Sequence, residues 1–158
     1  MTWRGSTTVK ERIFAALPYL LPLIYGFQFG LPLLLKFPVL GFIYLPLKPL
    51  MSIYYSSPFI GLIVFFVLFL AVVRNERIAH FIRFNTMQAI LLDILLVLCS
   101  FAIDILGRGL GNSFFMETLN NVIFLGTLAA CFYSIVQSLL GRYAEIPTLS
   151  EAVYAQVR

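Results

Sequence analysis

VVRNERIAHFIRFNTMQAILLDI, residues 72–94, joins two apolar runs through a basic hinge. Arg74, Arg77 and Arg83 fall within it, with His80, the only histidine of the chain. Cations clustered between greasy segments mark the cytoplasmic side of a polytopic membrane protein. Ile78, Phe81 and Ile82 are spaced to bury one face of a helix, which leaves Arg77 and His80 pointing outward. Two uses follow for Arg74, Arg77, His80 and Arg83. They lie on anionic headgroups, or they form a docking hinge for a soluble partner.

Composition agrees with a membrane setting. The 158 residues are 61% hydrophobic, 16% aromatic and only 11% charged. A soluble domain carries about 25% charged residues, so this chain cannot clothe itself in water, and an integral membrane protein is the class that fits. The net charge of +4 reads as a topology signal and as contact with anionic lipid. No aromatic-studded basic patch points to nucleic acid. Cys99 and Cys131 sit in apolar runs, as small buried side chains do. Neither they nor His80 has metal-ligand spacing, and no cofactor is expected. The sequence holds no G-x-S-x-G, H-E-x-x-H, P-loop or dinucleotide glycine pattern. The expectation is a protein without catalytic residues.

The pattern is all-α: one membrane domain with four transmembrane helices, near residues 13–33, 58–73, 84–106 and 115–140, and a soluble tail at 141–158. Pro18 and Pro22 share a face of the first span and should kink it, and the carbonyls they free need partners within the protein. Residues 36–57 are apolar but broken by prolines, with Tyr44, Tyr54 and Tyr55 suited to an interface. They read as an interfacial or re-entrant segment, with a fifth span as the rival. Ser57 can cap the second span with Pro58 at its first helical position. At about 1.5 Å per residue that span reaches only about 24 Å, short of a core of about 30 Å. GRGLGNS, residues 107–113, is a turn between the third and fourth spans. Ser150 can cap a short tail helix carrying Val153 and Val157 on one side.

Polar residues inside the spans fall in stripes. Asp93 and Asp104 lie about three turns apart on one face of the third span, roughly 16 Å along the axis, and Thr86 and Ser100 share that stripe. A carboxylate at mid-bilayer costs roughly 2.5–3.5 kcal/mol on insertion scales, so the stripe must face protein, water or a partner. Asn120, Thr127, Ser134 and Gly141 repeat at sevenfold spacing on the fourth span, with Gln137 and Ser138 beside them. The simplest expectation is that the third and fourth spans pack through these stripes. The carboxylates serve either as a polar path or as structural groups that hold the bundle or seat a subunit.

Three ordered motifs resemble the Tic-twenty family, the twenty-kilodalton subunit of the protein translocon at the inner chloroplast envelope and its cyanobacterial relatives. They are RIFAALPYLLPL (Arg12 to Leu23), the block from Val72 to Ile94, and QSLLGRYAEIP (Gln137 to Pro147). The resemblance implies four spans, termini in the stroma or cytoplasm, and a role in preprotein import as a channel or core subunit. It supplies no catalytic residues. With no long Ser- and Arg-rich leader before the first span, a cyanobacterial or plastid-encoded member is expected. The leading expectation is therefore a non-enzymatic subunit of a protein-translocation machine. A small ion or solute channel using Asp93 and Asp104 is the alternative, and a structural assembly factor is another. Expected partners are membrane lipids, other translocon subunits and translocating polypeptides, in an oligomer or hetero-complex.

Orientation follows from the cations. With the N-terminus inside, Arg4, Lys10, Arg12, Arg74, Arg77, Arg83, Arg142 and Arg158 are inside, and Lys36, Lys48 and Arg108 are outside. Glu76→Cys should react with an impermeant maleimide from the cytoplasmic or stromal face, and Lys48→Cys only from the opposite face. The reverse labelling pattern would invert this topology.

Overall fold

A computed structural model describes residues 7–157; Arg4 and Arg158 of the orientation reading lie outside them. The described residues form helices and turns and no strand: α1 (Val9–Lys36), α2 (Lys48–Tyr54), α3 (Pro58–Val73), α4 (His80–Leu110), α5 (Phe114–Leu139) and α6 (Leu149–Gln156). Three of these, α1, α4 and α5, are long and apolar enough to cross a membrane. The pair α2 and α3 adds a fourth if counted as one broken span, bent by 102°. The chain is an all-α polytopic membrane protein with a re-entrant-like element between its first and second spans.

Local chemistry sets the helix ends. Thr8 and Glu11 form a capping box before α1: the Glu11 amide donates to Thr8 Oγ1 (3.2 Å) and the Thr8 amide to Glu11 Oε2 (2.9 Å). Pro58 opens α3 behind Ser57, whose hydroxyl accepts from the Phe59 amide. Ser113 caps α5 in the same way through Met116. Gly111, at φ 58°, ends α4 in a conformation that other residues resist.

α1 is irregular where its prolines demand it. The α-helix tightens into 3₁₀ turns at Leu17–Tyr19 and Phe27–Gly30. Carbonyls near these breaks find partners in the segment that follows. Tyr44 donates its hydroxyl to the Leu23 carbonyl (3.1 Å), and Tyr55 donates to that of Ile24 (2.7 Å). The re-entrant element is thereby pinned to the kinked helix. Tyr44 and Leu47 enter the core with Leu23, Ile24, Phe29, Phe124 and Leu128.

α1 also extends the expected packing. It packs against both α4 and α5, which also touch each other directly, so the polar faces meet α1 as well as one another. The small residues of α1 permit the approach. A Cβ on Gly26 would lie 2.7 Å from Thr127 Cγ2, and one on Gly30 only 2.4 Å from Phe124 Cε1. Lys36, at the far end of α1, pairs with Glu117 of α5.

α3 contributes little to this core. Phe59, Leu62, Ile63, Phe66, Val67 and Leu70 stay exposed along it, and only Val73, at its π-helical end, is fully buried. Val73 packs with Phe84, Met87 and Ile90 of α4 and with Val153 and Val157 of the tail. The tail is thus folded onto the bundle. Ser150 does not cap α6; Thr148, at φ 69°, holds that place.

Overpacking a filled core costs about 1–3 kcal/mol. Gly30→Ala should therefore lower the thermal unfolding midpoint in detergent. Gly126→Ala, whose new methyl meets nothing within 4 Å, should leave it unchanged or raise it. Equal effects would refute the close α1–α5 contact.

Candidate functional site

Polar side chains gather where α1, α4, α5 and the tail meet. Tyr19, Asn85, Gln88 and Ser138 are each fully buried there. The Tyr19 hydroxyl donates to Asn85 Oδ1 (2.7 Å), which also accepts from Ser138 Oγ (3.1 Å). Gln88 Nε2 donates to the Tyr19 oxygen (3.0 Å) and to the Ala144 carbonyl (2.6 Å). Ser150 Oγ donates to Gln88 Oε1 (2.7 Å) and accepts from the Ile146 amide (2.6 Å). Asn85 Nδ2 returns to the Phe81 carbonyl at 2.8 Å. The two amide side chains thus tie one helix to two others and to the tail. Each such bond in a membrane protein contributes about 0.6 kcal/mol, up to ~1.7. Breaking one is costlier, because a buried partner left unpaired costs about 1–3 kcal/mol.

Aromatic packing closes the same junction. Tyr143 meets Phe81 and Phe84 edge-on, with ring centroids at 5.1 and 5.0 Å, and Tyr154 lies 4.8 Å from Phe84. His80, expected to face outward, turns toward the tail. Its Nδ1 lies 2.9 Å from the Tyr143 hydroxyl and its Nε2 lies 3.3 Å from the Val157 carbonyl. Arg83 is buried and donates through Nε to the Val73 carbonyl (2.9 Å), fastening the end of α3. Arg74 and Arg77 remain exposed. The hinge therefore splits into two outward cations and two residues held by the chain's own backbone and tail.

The α4 stripe splits as well. Thr86 is fully buried, and its hydroxyl has no hydrogen-bond partner among the described residues. Asp93 is half-buried, with Oδ1 likewise unpartnered. Ser100 lies 3.0 Å from the Tyr25 hydroxyl and donates to the Val97 carbonyl (2.9 Å). Asp104 is exposed, so the structure does not bring the two carboxylates into one enclosed path. On α5, Asn120 and Thr127 donate back to the carbonyls of Met116 and Ile123, and Ser134 is fully buried.

Tyr19, Asn85, Gln88 and Ser150 were not among the expected site residues. Asn85 and Gln88 stood in the opening stretch, one helical turn apart, and two amides in an apolar helix are a signal. Their partners lie more than sixty positions away in sequence for Tyr19 and Ser150, beyond what periodicity can reveal. No group of His, Cys, Asp and Glu among the described residues is placed to hold a metal. Chemically, the junction holds elements together: most of its donors and acceptors are already used.

Known proteins are similar to this chain along nearly its whole length. The family model described as chloroplast import apparatus Tic20-like matches residues 8–153. A Tic20 family protein of Synechocystis is 56% identical, the match covering 94% of each chain. Protein TIC 20-II, chloroplastic, of Arabidopsis thaliana is 34% identical over 99% of this chain and 78% of its own. The Tic20 family protein Ycf60 of Gracilaria tenuistipitata is 35% identical over 95% of this chain and 76% of its own.

Gln88→Leu keeps the side-chain volume but removes the bonds to Tyr19, Ala144 and Ser150. It should raise amide hydrogen exchange in residues 144–157 about tenfold or more, as a loss of about 1–3 kcal/mol implies. Unchanged exchange would show that aromatic packing alone holds the tail.

Proposed function

Because this chain belongs to the Tic20 family, we propose that it is a non-enzymatic subunit of a membrane protein-translocation machine. Its setting is a cyanobacterial membrane or the plastid inner envelope, with both termini on the cytoplasmic or stromal side. The observation that carries this reading is the family match along residues 8–153, under a description that names an import apparatus. The geometry is compatible with it. The junction of Tyr19, Asn85 and Gln88 makes a rigid end, whereas the exposed face of α3 leaves surface for other chains. Arg74 and Arg77 offer cations to a soluble partner or to headgroups. A conducting path for a polypeptide is assembled from several subunits, since one protomer is filled by its own kinked first helix.

The second reading is a small ion or solute channel. Its support is the unpartnered Oδ1 of Asp93; the exposed Asp104 adds nothing to it. On the translocation reading, Asp93→Asn leaves ion flux through reconstituted vesicles unchanged.

A photoreactive residue at Ser100 should form adducts with a precursor in transit, lost when translocation is blocked. The same probe at the neighbouring exposed Phe101 should label lipid. Adducts from Ser100 to fixed subunits only would overturn the conduit role and leave an assembly function.

A further inference from the structure

Before α6 begins, the tail crosses the bundle as a non-helical segment, residues 142–146. Side chains of the bundle hold it there by its main chain. Gln88 Nε2 of α4 donates to the Ala144 carbonyl (2.6 Å), and the Tyr133 hydroxyl of α5 donates to that of Glu145 (3.4 Å). Farther on, His80 Nε2 lies 3.3 Å from the Val157 carbonyl. Every residue carries a main-chain carbonyl, so these contacts are indifferent to the sequence they hold.

Two slots sort the side chains of the segment. Tyr143 enters the first: its ring meets Phe81 and Phe84 edge-on, and its hydroxyl lies 2.9 Å from His80 Nδ1. Ala144 is fully buried in the second, where a longer side chain would have to displace its neighbours. Glu145, next along, is exposed. Gln88 is itself an amide, with a donor and an acceptor as in a peptide unit. The tail places a carbonyl on the donor and the Ser150 hydroxyl on the acceptor (2.7 Å). A peptide N–H fits that acceptor as well.

Two left-handed residues bracket the segment, Gly141 at φ 76° and Thr148 at φ 69°. Glycine adopts this conformation freely, so Gly141 is a pivot. Threonine does not, and leaving the groove releases Thr148 from it. We propose that α4 and α5 form a groove for an extended polypeptide segment, an aromatic residue followed by a small one, which the tail occupies in cis as a displaceable strap. A tethered strap competes at a roughly millimolar effective concentration, so a free segment binds well only when the strap is weakened. The groove gives a client chain a place to dock, and it rests on the translocation reading for the source of that chain. Loss of the groove would leave that reading standing, because the Ser100 adducts decide it separately.

The test is fluorescence anisotropy of the full chain in detergent, with a labelled peptide that carries a central Tyr–Ala pair in a sequence otherwise unrelated to the tail. Tyr143→Ser empties the aromatic slot in cis and should tighten binding of this peptide at least tenfold over the unaltered chain. Gln88→Leu added to it should cancel the gain, and a peptide with Ser–Leu at its centre should bind neither chain. Unchanged amide exchange in α1 and α5 checks that Tyr143→Ser is folded. If that variant does not fold, the unaltered chain under saturating peptide gives the readout: exchange in residues 143–157 should rise severalfold. Binding of the tail's own sequence but not of the unrelated peptide would overturn the proposal and leave the tail a fixed part of the fold. So would a folded Tyr143→Ser that binds no peptide, binding insensitive to Gln88→Leu, or a dimer made by exchange of tails in place of peptide binding.

Discussion

A polar group carried into a bilayer must be met by another polar group of the protein, because hydrocarbon offers none. That constraint organises this molecule. Prolines in α1 break its regular helix, and the tyrosines of the re-entrant element bond to two carbonyls beside the break, those of Leu23 and Ile24. Two amides in α4 require partners, and α1, α5 and the tail supply them through Tyr19, Ser138, Ala144 and Ser150. The connections that look incidental in the chain, the proline-broken loop and the polar tail, are the pieces that complete the helices.

The result is a molecule with two unlike ends. At the end of the hinge and tail, buried amides, stacked aromatics and the Arg83 bond to Val73 make a dense joint. At the other end, Lys36 pairs with Glu117 across the surface, and the chain turns back through α2 before α3 begins.

Much of the architecture was legible from local chemistry. Pro18 and Pro22 announced the break in α1, and Ser57 and Pro58 the start of α3; of the glycine-rich run 107–113, residues through Leu110 instead continue α4, and only Gly111 to Ser113 turn before α5. Each is a property of a few adjacent residues. The inward turn of His80 and the packing of α1 against both polar stripes were not legible. Periodicity reports which residues share a face, not which helix that face will meet. The sevenfold stripe on α5 therefore also meets α1, where Gly26 comes close to Thr127, while α5 still touches α4 through Ser138 and Asn85. Asn85 and Gln88 were visible as residues and invisible as a junction, since their meaning lies in distant partners.

α3 is short and is fastened at both of its extremities: Val73 is sunk in the joint, and Tyr54 of the pinned α2 lies against Gly61. A helix that is both short and tethered cannot tilt freely to suit the surrounding lipid. A short span is otherwise met by snorkelling flanks, by a neighbouring subunit or by the bilayer itself, and the two tethers leave α3 only those routes.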